Sequence, residues 1–273
     1  MVFNILSSSC PLLLSSIGAL FSEFAGVLAL FLEGLICLGG FLSYSFTVMT
    51  GNLAAGIILS CLCCCILCCL FSFLVEKFKA HVFIAGIAIN LLFAFLTSFL
   101  SVQFFGTRGV LTSEVFANQI HKFKNMNVWL VVITALMICG GILFIAFTKQ
   151  GLNLRVTGYN SEVLRAKGGK PEFYRCLSWG AAGVYGCIAG SMLVMKISSF
   201  VPNISSGRGW MALAAVYLGK KKGWKISIAV LVFAAADYFA THVQNVWPAV
   251  PSSVLFALPY FVMLLLILVD KKD

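Results

Sequence analysis

Long apolar runs, cut by short polar connections, dominate the chain. A helix needs about 20 mainly apolar residues to cross a hydrocarbon layer. Runs of that kind fall near 4–21, 26–48, 53–74, 82–104, 128–147, 174–197, 226–243 and 253–269. A further apolar run at 210–219 is too short to cross alone and follows Pro202, Gly207 and Gly209. Such a segment is expected where a helix is broken inside a protein-lined cavity. The pattern predicts an all-α polytopic bundle of about eight or nine spans, with a broken or re-entrant element around 198–225. One transmembrane domain occupies 1–273. The largest polar stretches, 107–127 and 148–175, are too small for a separate domain.

Composition agrees. The chain is 61% hydrophobic and only 10% charged, against roughly 25% charged in a soluble domain. A cytosolic enzyme, a nucleic-acid binder and a disordered chain are excluded on that ground. The net charge of +10 then reads as a matter of topology. Most basic residues lie in four connections: Lys77 and Lys79; the loop from Lys149 to Arg175; Lys220 to Lys225; and the tail Lys271 and Lys272. Fewer lie in the alternate group of Arg108, Lys122, Lys124, Lys196 and Arg208. The positive-inside tendency places the first group, and with it the C-terminus, in the cytoplasm. No Lys or Arg precedes Glu23, so the side of Met1 stays open. For the same reason the first run reads as a retained span rather than a signal peptide.

Six cysteines crowd Cys61–Cys69, and Cys61, Cys64, Cys65 and Cys68 share a helix face. A metal site would need thiolates, which hydrocarbon disfavours, so packing is the expected role. No metal ligand set and no catalytic constellation is expected anywhere. His81, His121 and His242 are far apart, and a phosphate-cradling loop is missing. Intramembrane charge is costly and therefore informative. Glu33 and Asp237 lie well inside apolar runs, whereas Glu23 and Lys196 fit interface positions. Asp237 suits either a polar clamp between helices or a substrate contact. Asn203-Ile204-Ser205 matches the short glycosylation triplet. Gly183, Gly186, Cys187, Gly190 and Ser191 make a small-residue face for close helix packing.

In the 148–175 loop, Asn160 or Ser161 can cap a short helix that Gly168 ends. By physics alone it is a connector or a docking surface. Several blocks then resemble the permease subunit of ATP-binding-cassette importers of the simple-sugar and nucleoside type. The family pattern F-S-E-R-A-G-V-x-N-I-G-x-E-G is met by Phe21, Ser22, Glu23, Ala25, Gly26, Val27, Glu33 and Gly34. A second block spans Ala85 to Leu92 around Asn90. A third, in the loop, includes Gly151, Leu152, Leu154, Arg155, Gly158, Asn160 and Ala166-Lys167-Gly168. The most specific block runs from Phe200 and Pro202 through Gly207-Arg208-Gly209 to Leu218-Gly219. Pro251-Ser252 and Ala257-Leu258-Pro259-Tyr260 form the last. Five blocks in order cover about 21–269.

The resemblance implies a division of labour. Two permease subunits, identical or homologous, enclose one path through the lipid of a bacterial cytoplasmic membrane. An external binding protein or lipoprotein delivers the solute, and two cytoplasmic ATPase domains supply the motor. ATP and Mg then belong to those partners, with no cofactor in this chain. The implied coupling segment is Asn160–Gly168, with Gly158, Asn160, Glu162, Arg165, Ala166 and Gly168 as its residues. The expected cargo is a nucleoside, with riboflavin or a simple sugar as alternatives. Path candidates are Glu33, Asn90 and Asp237; Phe46, Phe105 and Trp210 for stacking; and Arg208, which also fits a capping or snorkelling role. Phe24, Ala29 and Phe31 depart from the first block, and Tyr159, Ser161, Val163 and Leu164 from the loop block. An ion-coupled transporter would need a titratable cluster near mid-membrane, and two isolated acids make a thin one. A membrane-embedded enzyme lacks its catalytic group.

Overall fold

The computed structural model describes residues 2–122, 125–246 and 252–269. Lys124 and the tail Lys271 and Lys272, and with them the expected side of the C-terminus, lie outside the described residues. Twelve helices follow in order among the described residues: α1 (Val2–Phe24), α2 (Leu32–Thr50), α3 (Leu53–Lys77), α4 (Val82–Phe105), α5 (Glu114–His121), α6 (Met126–Phe147), α7 (Lys149–Tyr159), α8 (Ser161–Ala166), α9 (Pro171–Ile197), α10 (Arg208–Leu218), α11 (Gly223–Val246) and α12 (Ser252–Val269). Among these, α2, α3, α4, α6, α9 and residues 223–240 of α11 are long and apolar enough to cross a membrane.

The bundle is built around α9, which packs on α1, α2 and α3. Its small residues allow this. A Cβ on Gly190 would collide with the carbonyl of Ile36, and Gly39 of α2 sits equally close to Cys187. Gly183 lies against Cys64 and Cys68 of α3. The cysteines are therefore packing groups: Cys64 and Cys68 are buried, and Cys187 donates to Ser60 Oγ at 3.3 Å. All eleven are free thiols. No cluster able to hold a metal ion occurs among the described residues. On α3 and α4 the opposite faces leave Ile58, Leu62, Ile66, Phe73, Phe95 and Phe99 exposed, as lipid contact requires. Helix α1 is rich in serine yet buried. Ser15, Ser16 and Ser22 donate to carbonyls three or four residues back, which satisfies them locally.

Two groups of connections gather at opposite ends. At one end Ser7 of α1 bonds Asn127 of α6, and Lys196 of α9 reaches Ser8. This places the start of α1 beside the start of α6, a point the charge pattern left open. At the other end Glu76 pairs with Arg175 at 2.9 Å and Glu23 with Lys221 at 3.2 Å.

The run at 26–48 does not begin a helix where its hydropathy begins. Residues 25–31 form a non-helical turn, buried except at Gly26 and Leu28, and α2 starts at Leu32. Its backbone is satisfied inside the protein: Ala29 N donates to Ser22 Oγ (3.1 Å), and the Val27 carbonyl accepts from Trp179 Nε1 (3.1 Å). Hydropathy cannot report such a break, because the turn is as apolar as a helix. The break expected around 198–225 is present. The chain turns through residues 198–207 and resumes as the short helix α10.

Gly190→Val should overpack the α2–α9 contact and lower thermal stability in detergent by about 1–3 kcal/mol. Cys63→Ala, on the half-exposed side of α3, should change it by no more than about 0.5 kcal/mol.

Candidate functional site

Two helix beginnings meet in the interior, and one side chain joins them. Glu33, in the first turn of α2, accepts from Gly207 N at 2.6 Å through one carboxylate oxygen and from Gly209 N at 2.7 Å through the other. A helix start in an apolar interior leaves N–H groups with no water to bond. A carboxylate satisfies two of them and complements the positive end of the helix dipole. Next to it, Gly34 N donates to Asn90 Oδ1 at 2.6 Å. Asn90 lies eight residues into α4, about 12 Å from its start at 1.5 Å per residue.

Every residue of Gly207-Arg208-Gly209 now has a physical reason. Gly207 has φ +81°, and a Cβ there would strike the Tyr260 hydroxyl. That hydroxyl donates to the Ser206 carbonyl at 2.9 Å, tying α12 to the loop. Gly209 lets α10 approach the backbone of Glu33. Arg208 pairs with Asp237 of α11 at 3.2 Å and bonds the Ser205 carbonyl. Asp237 is fourteen residues into α11, about 21 Å from its start. Arg208, grouped by sequence with the loops, thus has an ion-pair partner within a span. Asp237 makes the polar clamp.

Beside this junction lies a cavity of about 320 Å³ between α2, α4 and the 198–207 loop. Glu33, Gly34, Cys37, Asn90, Ala94, Thr97, Ser98 and Ser101 line one side, and Arg108, Phe200, Pro202, Asn203 and Ser205 the other. Glu33 and Asn90 are thus brought together at its wall, with Arg208 and Asp237 adjoining. Phe46, Phe105 and Trp210 are not among its lining residues. Phe46 packs on the core, Phe105 meets Tyr44 at a tilt (5.7 Å) and edges Phe41 (6.2 Å), and Trp210 is partly exposed on α10. Sequence reading missed Thr97, Ser98 and Ser101. Their spacing from Asn90 puts all four on one helical face, so a polar stripe in an apolar helix was the available signal. It also missed Ser205. In the glycosylation triplet at 203–205, Asn203 is exposed while Ile204 and Ser205 are buried.

The expected coupling segment forms as the short helix α8. Asn160 caps it by accepting from Glu162 N (3.0 Å), and Gly168 at φ +78° follows its end. Leu164 is buried against Gly169, Arg165 pairs with Glu172, and Glu162 and Ala166 are exposed. Gly158, at the end of α7, touches the Phe24 carbonyl and Gly26 backbone directly.

Across residues 1–269 the sequence matches the family described as branched-chain amino acid transport system / permease component. The chain belongs to this family. It is a multi-pass membrane permease of the ABC transporter class, a transport subunit rather than an enzyme. Three relatives cover most of it. The nucleoside ABC transporter permease protein NupC of Lactococcus lactis is 28% identical over 95% of this chain and 88% of its own length. The putative glucose ABC transporter permease protein TsgC13 of Haloferax volcanii is 27% identical over 86% and 74%. The guanosine ABC transporter permease protein NupQ of Bacillus subtilis is 28% identical over 78% and 72%. In fold the permease is similar to PsaBC from Streptococcus pneumoniae, solved in complex with Fab. The TM-score is 0.54 at 13% identity, over 100% of this chain and 93% of that one.

Within this permease, Glu33→Gln should turn an amide NH2 toward one of the two N–H donors of α10. Thermal unfolding of the purified subunit should show a loss of about 1–3 kcal/mol. Trp210→Phe, outside the junction, should leave the midpoint nearly unchanged.

Proposed function

We propose that this permease is the membrane path of an ATP-driven importer that carries a nucleoside. The observation that carries the reading is the cavity beside Glu33. Its volume, about 320 Å³, lies at the low end of small-molecule sites. Its wall combines amides, hydroxyls, the Glu33 carboxylate and the Arg108 guanidinium with the Phe200 ring and Pro202, a lining suited to a hydroxylated, partly aromatic solute. Two relatives named for nucleoside or guanosine transport support the same choice. A sugar is the second reading, favoured by the relative named for glucose and by the hydroxyls of α4. Riboflavin remains a competitor for the same test.

In this reading an external binding protein delivers the cargo, a second permease copy or homologue completes the path, and two ATPase domains bind ATP and Mg. The basic end of the bundle, with α7 and α8, faces the cytoplasm, as does the C-terminus. The segment 160–168 docks on the ATPase. Support comes from its build: capped by Asn160, anchored by Leu164 and braced by the Arg165–Glu172 pair, it presents Val163 outward beside the exposed Tyr159 at the end of α7. Gly158 passes motion to the turn at Gly26 by backbone contact.

Uptake of labelled guanosine by cells carrying the permease and its partners should stop on ATP depletion and survive a proton uncoupler. Excess nucleoside should compete, and excess riboflavin or glucose should not. Gradient-driven uptake by this chain alone would overturn the importer reading. Replacing 160–168 by a Gly/Ser linker should abolish ATP-driven uptake while cargo capture by the binding protein persists. Unchanged uptake would remove the coupling role from α8.

A further inference from the structure

The side-chain amide of Asn90 is held one way round. Gly34 N, which can only donate, lies 2.6 Å from Asn90 Oδ1. Turning the amide over would set its NH2 against that N–H, donor facing donor. The two helices also meet closely here, since a Cβ on Gly34 would strike the Asn90 carbonyl. The amide oxygen therefore faces α2, and the direction of the NH2 is set by the fold.

That NH2 has no task within the protein. Among the described residues, Asn90 Nδ2 bonds no protein group. The buried side-chain atoms without a partner are Tyr44 Oη, Ser45 Oγ, Arg155 Nε, Arg175 Nε and Ser205 Oγ. Asn90 Nδ2 is not one of them, so it keeps accessible surface, and Asn90 lines the cavity.

The other polar side chains of the wall do not duplicate it. Thr97, Ser98 and Ser101 give their protons to backbone carbonyls. The Ser205 oxygen is buried. Arg108 and Asn203 stand at exposed positions, and no bond fixes their side chains among the described residues. Of the amide, guanidinium and hydroxyl groups lining the cavity, Asn90 alone offers an accessible donor whose direction the protein fixes.

What such a donor can distinguish follows from polarity. A sugar hydroxyl both donates and accepts, so it would answer a donor or an acceptor equally well. A nucleobase edge has fixed polarity. The carbonyl at C6 of guanine accepts, whereas the amino group in the same place on adenine donates.

We propose that Asn90 is a specificity-determining residue that donates its side-chain NH2 to the ring carbonyl of a 6-oxopurine nucleoside, so that guanosine and inosine pass in preference to adenosine. The inference rests on the reading of this cavity as the site of a nucleoside cargo.

The test uses the whole importer in cells, with guanosine, inosine, adenosine and purine riboside, which carries only hydrogen at C6, all below saturation. Each uptake rate is divided by the affinity of the isolated binding protein for that nucleoside, which removes the binding protein's own preference. Wild type should then favour guanosine and inosine about tenfold over the other two, the worth of one buried hydrogen bond. Asn90→Asp keeps an oxygen for Gly34 N and replaces the NH2 by an acceptor, and Asn90→Leu removes both groups. Each should lower the ratio of inosine to purine riboside uptake about tenfold. A merely structural role in holding Gly34 would lower all four nucleosides alike and leave that ratio unmoved, and this result in both variants would overturn the inference. If neither variant assembles, the wild-type preference decides, and equal normalised rates or a preference for adenosine refute the role of Asn90. Flat ratios with nucleosides still carried remove Asn90 alone. Uptake of sugars but of no nucleoside overturns the cargo reading and this inference with it.

Discussion

The fold of this permease hangs on the bond between the Glu33 carboxylate and the first turn of α10. A helix that begins inside a membrane protein exposes N–H groups that lipid cannot satisfy. Solvation by a carboxylate from another helix solves that problem, but it demands that the second helix also begin nearby. The non-helical turn 25–31 meets the demand by delaying α2 until Leu32, so that Glu33 falls in its first turn. The glycines on either side then follow as steric necessities. Gly34 admits Asn90, Gly209 admits Glu33, and Gly207 admits the Tyr260 ring. A larger side chain at any of them would part elements that have no other route to satisfied backbone groups.

The same turn links the junction to the far end of the bundle. Gly26 lies against Gly158 of α7, and seven residues later the chain reaches Glu33. The segment between them is short and mostly buried, and its other end holds α10. The connection runs through packed backbone rather than through long side chains. The Glu23–Lys221 pair, from the end of α1 to the turn before α11, adds a second tie at the same end.

Much of this could be read along the chain. The apolar runs located the long helices, because length and hydropathy suffice for a span that meets lipid on one side. The short run at 210–219 announced a broken helix, and the intramembrane charges Glu33 and Asp237 marked the junction, since such groups persist only with partners. The cysteine cluster was legible as packing from the chemistry of thiols in hydrocarbon. The break at 25–31 was not legible, because a buried turn is as apolar as a buried helix. The aromatic candidates Phe46, Phe105 and Trp210 could not be sorted, since apolar packing and cavity lining use the same side chains.

By itself the sequence determined that this is a membrane bundle of one family, where most of its long helices run, and which polar residues need partners. Those properties depend on local composition and spacing. The tertiary structure alone decided who the partners are: Glu33 with α10, Asn90 with α2, Arg208 with Asp237, and Tyr260 with the 198–207 loop. Pairings between residues as distant as Glu33 and Gly209 depend on how helices cross in three dimensions. A buried group's bond is set by that geometry, and no local pattern encodes it.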